Sequence, residues 1–361
     1  MAENLPGWRD VMRPIDAVIN GEFRKSELAA DLAQVVKGKS EFSEYQDATE
    51  FFARTYMTSG LKRLLTEAIN RLVKGNGEPV IEVKTAFGGG KTHSMMALYH
   101  LFNRKYDPNT VDEQVQSLMV ETQTRPLPDD IRTATAVGTD INTLRSTEIG
   151  GREVHTLMGG ICLQLALAAE RIELFDRLIK RNDEHGVSTG VSDLREFLDG
   201  CGRCLILLDE LALYGVKLFG SANRVPYDQF IAFLQELTEA VQTSRYSMLV
   251  VTLPQSDTEL GKSEGGREVL QTIEHRFGRL QSIWTPVGAQ ESFEIVRRRL
   301  FNPIYSEKSR DKVCKAFSEM YGSKKIFPSE AKSKQYAERL RACYPIHPQV
   351  FDLLYGKWAT I

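Results

Sequence analysis

The sequence predicts an α/β fold in which a parallel sheet is sandwiched between helices. Short, continuous apolar runs such as 205–208 and 248–253 have the length of strands that are buried on both faces. Helical patterns separate these runs, and this alternation is typical of parallel sheets because each crossover between parallel strands uses a helix. After Pro286 the strand patterns stop and helical patterns follow. We therefore expect helices before the sheet, the α/β core itself and a helical lid after it.

Composition and charge exclude several classes of protein. An apolar fraction of 42% is sufficient for a hydrophobic core and excludes general disorder. No apolar run approaches the roughly 18 residues of a membrane span, and the N-terminus lacks the pattern of a secretory signal. The five cysteines form no disulfide scaffold, and the lone Cys201–Cys204 pair is too few ligands for zinc. We expect a cytoplasmic protein that makes no use of a membrane.

The order of the patterns divides the chain into three parts. Helical patterns at 22–37, 45–57 and 61–73 make residues 1–78 an N-terminal helical extension. Strand patterns at 79–83, 133–139, 204–208, 247–253 and 280–284 place the α/β core at 79–287. Residues 288–361 form the helical lid. The chain ends beside a helical pattern without a glycine or proline stop, so we expect it to be the N-terminal part of a longer protein.

The first strand runs into the sequence Thr-Ala-Phe-Gly-Gly-Gly-Lys-Thr-His at 85–93, and a helical pattern follows at 94–103. This order is that of a nucleoside-triphosphate P-loop, in which glycines let backbone N–H groups surround phosphate oxygens. Lys91 would reach the β- and γ-phosphates, and the Thr92 hydroxyl would bind Mg²⁺. Thr85 replaces the first glycine of the template, so an incidental strand–helix turn is the alternative. The expected cofactor-binding residues are Phe87, Gly88, Gly89, Gly90, Lys91, Thr92 and His93.

A second motif, Cys-Leu-Ile-Leu-Leu-Asp-Glu at 204–210, ends an apolar strand on two carboxylates. Parallel sheets bind ligands at the carboxyl ends of their strands, where the glycine loop also lies. Asp209 would hold Mg²⁺, and Glu210 would polarise the water that attacks the γ-phosphate. The pairing favours hydrolysis over binding alone; the alternative for Glu210 is a structural cap.

Further polar residues could complete this catalytic site. Thr252 ends a buried strand and could sense the γ-phosphate, with Gln255 and Ser256 as rivals and a purely structural β-residue as the alternative. Arg276 and Arg279 could reach a neighbouring subunit's nucleotide, as in ring-forming ATPases, while surface ion pairing is the competing interpretation. Arg267 is a third candidate.

The chain resembles the large AAA+-type P-loop ATPases of prokaryotic anti-phage defence islands, which are catalogued as a domain of unknown function. The resemblance is carried by the residues at 26–31, 51–55, 85–93, 98–101, 207–210 and 344–348. It implies a Mg²⁺-dependent ATPase with other defence-system proteins as partners, among them a DNA methyltransferase encoded nearby. The Tyr-Pro-Ile-His-Pro motif at 344–348 belongs to the same family pattern, and we expect His347 there to be buried and hydrogen-bonded.

Three functions compete at this point. The leading one is an ATPase that performs conformational work on a partner, with a homo-oligomeric ring as one form. The second is an ATP-dependent scaffold or switch with incidental turnover, and the third is a DNA translocase subunit. Residues 291–341 carry 13 Lys and Arg against 7 Asp and Glu, so the lid could contact DNA, although solvated helix faces explain the same charge.

Overall fold

The computed structural model describes residues 5–21, 30–85, 90–103, 112–254, 260, 264–277, 282–284 and 291–358. Contacts between Cα atoms divide the chain into two compact units. The sheet unit comprises residues 30–53 and 57–287, and the helical unit comprises residues 1–29, 54–56 and 288–361. Within the described ranges, no helix is long and apolar enough to cross a membrane.

Short helices precede the first strand. They are α1 (Trp8–Val11), α2 (Asp16–Ile19), α3 (Leu32–Val36), α4 (Ser43–Gln46), α5 (Ala48–Arg54) and α6 (Ser59–Ile69). A π-helical turn at Asn70–Lys74 continues α6 and ends at Gly75, which has a left-handed backbone. The pattern at 22–37 is partly outside the described residues, and α3 covers its last turn.

The sheet unit then alternates strands and helices. These are β1 (Val80–Thr85), α7 (Lys91–Phe102), α8 (Glu113–Glu121), β2 (Ile131–Val137), β3 (Thr147–Ile149), β4 (Arg152–Val154), α9 (Leu157–Ala168), α10 (Ile172–Leu178), α11 (Lys180–Glu184), α12 (Val191–Cys201), β5 (Arg203–Asp209), α13 (Leu211–Phe219), α14 (Val225–Thr243), β6 (Ser247–Pro254), α15 (Glu264–Phe277) and β7 (Ser282–Trp284). The helical unit continues with α16 (Glu291–Leu300), α17 (Glu307–Ser323), a 3₁₀ turn (Glu330–Lys332), α18 (Lys334–Cys343) and α19 (Pro348–Trp358).

The main sheet has the strand order β2-β5-β6-β1-β7, and every neighbouring pair is parallel. Its central strands are buried on both faces, which explains their continuous apolar sequences. Along β5, Leu205 and Leu207 pack into the core on one face, whereas Ile206 and Leu208 pack into the core on the other. The sequence therefore correctly predicted a mixed α/β fold with a parallel sheet between helices, an arrangement compatible with Rossmann-like and P-loop folds.

Two features of the sheet unit differ from the expected pattern. An antiparallel hairpin of β3 and β4 follows β2, and its three-residue strands are too short to produce a periodic signal. Residues 30–53 and 57–78 also group by contact with the sheet. The division into extension, core and lid at 78/79 and 287/288 stays a prediction.

Candidate functional site

Three residues named from the sequence meet at the carboxyl ends of β5 and β6. The Thr252 hydroxyl donates a hydrogen bond to Oδ1 of Asp209, and the Thr92 side chain hydrogen-bonds the same carboxylate. Asp209 is only 2% exposed and Thr252 is buried as well. We refer to Thr92, Asp209 and Thr252 as the buried cluster.

The fold explains why these residues are adjacent. The last residue of β5 is Asp209, and Leu208 before it pairs with Val251 on β6, so Asp209 lies beside Thr252. The strand β6 continues for two residues beyond Thr252, which is therefore not its last residue as the sequence indicated. Thr92 is the second residue of α7, which begins close to the carboxyl end of β1. Strand ends of a parallel sheet share one edge, so residues far apart in sequence converge there.

Burial dominates the electrostatics of the cluster. Removal from water raises the pKa of the Asp209 carboxyl above its ordinary value, because the charged form loses its hydration. Hydrogen bonds from Thr252 and Thr92 act in the opposite direction without cancelling the effect of burial. A positive ion beside this carboxylate would favour its charged form.

Glu210 differs from Asp209 although it is the next residue. It is exposed and has a left-handed backbone, with φ of 52°. Its N–H lies 3.0 Å from Thr252 Oγ1 and 3.1 Å from Asp209 Oδ1, so the backbone is anchored to the buried cluster. Its carboxylate oxygen Oε2 accepts a hydrogen bond from the Thr139 hydroxyl. A non-glycine residue in this conformation is held by its surroundings, as is common at functional sites.

The loop at 138–141, which follows β2, was not identified as part of the site from the sequence. The N–H of Gly138 donates to the Asp209 carbonyl at 2.9 Å. A Cβ atom at Gly138 would come within 2.2 Å of the Glu210 carbonyl oxygen, so only glycine fits there. The position of Thr139 beside a strand end was a usable signal, because polar residues at this edge face the same site.

The helix α7 carries the remaining described part of the glycine-rich motif. Gly90 is its N-cap, with φ of 84°, a conformation that glycine adopts without steric cost. Lys91 is the first residue of the helix. The His93 ring stacks on Phe51 of α5 with centroids 4.6 Å apart. Phe87, Gly88 and Gly89 lie outside the described residues.

The predicted arginines do not lie in the buried cluster in the part of the chain that the structure describes. Arg276 near the end of α15 donates to Oε1 of Gln235 at 2.7 Å, an exposed contact on the same unit. Arg279, together with Gln255 and Ser256, lies outside the described residues. Arg267 is exposed on α15. The role of an arginine in a neighbouring subunit therefore stays a prediction.

In the helical unit, His347 is hydrogen-bonded as predicted but only half-buried. Gln349 donates its N–H to Nδ1 at 3.2 Å, which leaves Nε2 to carry the proton toward Tyr321 Oη, 3.0 Å away. Burial lowers the pKa of the imidazole, consistent with the neutral form.

In the part of the chain that the structure describes, no group of three or more His, Cys, Asp or Glu could hold an ion. The cysteines are buried and free, and burial raises the pKa of the Cys201 thiol to about 12. Cys201 is therefore protonated and poorly suited to metal binding at neutral pH.

Comparison with known proteins identifies the family. No curated protein is significantly similar to the chain in sequence. The family model described as the DUF499 N-terminal domain matches residues 11–287, which include the buried cluster, Glu210 and the 138–141 loop. Because this match covers more than half of the chain, the chain belongs to the DUF499 family, in agreement with the predicted resemblance to a catalogued domain of unknown function.

Proposed function

We propose that the chain binds and hydrolyses ATP in a Mg²⁺-dependent reaction. The observation that carries the proposal is the buried cluster, in which a hydroxyl from the start of α7 and a hydroxyl from β6 converge on the carboxylate that ends β5. A P-loop followed by an acidic strand end has this arrangement of groups.

Nucleotide binding would use the beginning of α7 and the residues before it. The positive end of the helix dipole favours phosphate, and the left-handed Gly90 turns the backbone at this point. Lys91 would bind the β- and γ-phosphates, as the P-loop template has it. Phe87, Gly88 and Gly89 belong to the same proposed loop, and His93 would support it through its stacking on Phe51.

The donor set of the buried cluster fits Mg²⁺. This ion prefers oxygen ligands and is usually bound through one or two carboxylates together with substrate phosphates and water. Thr92 and Asp209 would supply the protein oxygens, while Thr252 holds the Asp209 carboxylate in place. Bound Mg²⁺ would neutralise charge on the phosphate oxygens during transfer.

Hydrolysis would depend on Glu210, whose carboxylate would accept a hydrogen bond from the attacking water and so orient it. Because Glu210 directly follows Asp209, the residue that would orient the water and the residue that would bind Mg²⁺ stand together at the end of β5. Thr252, bonded to both residues, would transmit the state of the γ-phosphate between them. An arginine from another copy, Arg276 or Arg279, would neutralise transition-state charge in a homo-oligomer.

We further propose that hydrolysis drives conformational work on partner proteins of an anti-phage defence system, a DNA methyltransferase among them. One face of α17 supports contact with DNA. Lys308, Lys312 and Lys315 recur at helical spacing along α17, with Asp311 among them, and lysines at this spacing would neutralise DNA phosphates.

An ATPase assay of the wild type and Lys91→Ala, with and without double-stranded DNA, tests the proposal. We expect Mg²⁺-dependent phosphate release that falls at least about 100-fold in the variant, since Lys91 would contact the transferred phosphate. The matched control is Lys62→Ala, which removes a lysine from an exposed ion pair with Glu121 in the same unit. Absence of turnover by the wild type under every condition would refute the proposal.

The two alternatives have their own outcomes. A scaffold or switch requires ATP binding alone, so Glu210→Gln would bind ATP and keep full biological activity in a phage-challenge assay. A DNA translocase would show hydrolysis that depends on DNA length. We expect Glu210→Gln to bind ATP but to lose protection, because the second carboxylate serves turnover.

A further inference from the structure

We infer that Lys217 is a positioning residue that keeps Glu210 in a restrained orientation through the 138–141 loop. The inference rests on the proposed function, because it takes Glu210 to be the residue that orients the attacking water. Lys217 lies on α13, which begins directly after Glu210.

Lys217 binds the loop through its backbone. Its Nζ lies 2.8 Å from the carbonyl oxygen of Gly138, 2.9 Å from that of Thr139 and 3.2 Å from that of Ile141. An ammonium group has three N–H donors, and these three carbonyl oxygens match that number. Hydrogen bonds from a charged donor are stronger than neutral ones, so Lys217 fixes the path of the backbone around Thr139.

The loop that Lys217 holds contacts Glu210 through its side chain and its backbone. The Thr139 hydroxyl donates to the Glu210 carboxylate, and Gly138 lies against the Glu210 carbonyl with no space for a side chain. Lys217 is bonded to the carbonyl of Thr139 itself, so the backbone that carries this hydroxyl is held beside the carboxylate.

The strand order gives the direction of the restraint. In the sheet, β5 lies between β2 and β6, and β1 lies on the far side of β6. Thr139 follows β2, so it draws the Glu210 carboxylate away from the side of the sheet on which β1 leads into the glycine-rich loop. On this inference the described arrangement is the restrained one, and hydrolysis would require Glu210 to leave Thr139.

A second contact on the loop is weaker. Asp140 pairs with Lys37, which caps α3, but both side chains are well exposed, at 38% and 45%. Exposed ion pairs contribute little because water and salt screen them. Lys217 is exposed as well, but it bonds three backbone carbonyl oxygens, whereas Lys37 bonds one side chain. We therefore assign the control of the loop to Lys217, with Lys37 as a minor tether.

Steady-state kinetics of Lys217→Met and Thr139→Val test the inference. Each variant removes the restraint, so we expect the turnover number to rise about fivefold while KM for ATP stays constant. The double variant should show no further rise, because both residues act on one contact. Lys217→Arg, which can donate to several carbonyls, should restore the wild-type rate. Lys62→Met controls for the loss of a lysine.

A fall in turnover, an unchanged rate or additive effects in the double variant would overturn the inference while leaving the ATPase intact. A measurement without nucleotide separates the two proposals. Hydrogen exchange at the amides of Gly138 and Asp140 should accelerate in Lys217→Met and stay slow in Thr139→Val, where Lys217 still holds the loop. Absence of turnover in the wild type would refute the proposed function, and the exchange of these amides would still decide whether Lys217 holds the loop.

Discussion

The buried cluster and the 138–141 loop hold two consecutive carboxylates by different means. Asp209 is enclosed and bonded by hydroxyls from α7 and β6, all inside the sheet unit. Glu210 projects to the surface and its side chain is held by one hydroxyl on a loop. A contact in the core changes only if the core changes, whereas a surface contact is made and broken at small cost. In the proposed site, one strand end would thus supply a fixed Mg²⁺ ligand, Asp209, and a movable group that orients water, Glu210.

Replacing Asp209 by Asn gives the largest effect expected from this comparison. The variant keeps the shape of the side chain and removes the charge that would bind Mg²⁺, so we expect turnover to fall by about 100-fold or more. Phosphate release measured over a range of Mg²⁺ concentrations checks this. Asp176→Asn, on an exposed ion pair with Arg152, should behave as the wild type. Full activity of the Asp209 variant would remove Asp209 from the proposed metal site.

The same variant should gain stability in the absence of Mg²⁺. Because burial raises the pKa of Asp209 in the folded state, its protonated form stabilises the fold, and this contribution is lost as pH rises through the folded-state pKa. Asp209→Asn avoids that loss. We therefore expect the variant to exceed the wild type in free energy of unfolding near pH 7, with the difference shrinking toward pH 4. Urea titrations at both pH values test this, and a constant difference would contradict it.

Among changes in the 138–141 loop, Gly138→Ala should lower the free energy of unfolding most. Its Cβ would lie 2.2 Å from a backbone oxygen, so either β2 or the turn at Glu210 must move, at a cost of about 3 kcal/mol. Gly160→Ala on α9 is the control, because its Cβ would meet neighbours only at 4.0 Å. Chemical denaturation should give a clearly lower free energy of unfolding for Gly138→Ala than for Gly160→Ala. Equal values would show that the loop tolerates a side chain beside the Glu210 carbonyl.

Thr252→Val tests whether the buried cluster acts as a unit. The substitution removes the donor to Asp209 and the acceptor for the Glu210 N–H, which leaves buried polar groups without that partner. We expect a loss of about 2 kcal/mol in the free energy of unfolding. Thr252→Ser retains the hydroxyl and should lose less than half as much. Valine keeps the methyl group of threonine and loses only the hydroxyl, so wild-type stability of Thr252→Val would show that these hydrogen bonds do not stabilise the fold.

Lys37→Met should have the smallest effect. Its ion pair with Asp140 is exposed, and such pairs contribute about 0–1 kcal/mol. The midpoint of thermal unfolding and the rate of phosphate release should both lie close to the wild-type values at 0.15 M salt. A change in either as large as that in Lys217→Met would mean that α3 controls the loop.

The residues of the buried cluster could be predicted from the sequence, whereas the contact of Lys217 with the 138–141 loop could not. Thr92, Asp209 and Thr252 each stand beside an apolar strand or a glycine-rich turn, and the rule for parallel sheets brings such positions together. Lys217 has no such marker. It is one lysine on a helix, and its function depends on three carbonyl groups about 80 residues earlier in the chain.

Short elements also escaped prediction for a physical reason. A periodic pattern needs several repeats before it differs from chance, and the strands of the β3–β4 hairpin have three residues each. The pattern at 45–57 was interpreted as one helix, but the chain breaks it into α4 and α5 at Asp47, whose backbone is extended. By contrast, α16 is one unbroken helix among the helical patterns predicted after Pro286, because its charged and apolar residues alternate at a helical period over its whole length.

The strand order has a consequence for how the chain acquires its structure. The strand β1 pairs with β6 and β7, not with the next strand along the chain, so its partners emerge more than 160 residues later during synthesis. Until then the backbone groups along the edges of β1 stay unpaired and its apolar side chains stay uncovered. Pairing of strands so far apart in the sequence is slow. Fragments that end before residue 254 should accordingly aggregate, and a ribosome-bound chain should gain protease resistance abruptly once β6 has left the exit tunnel.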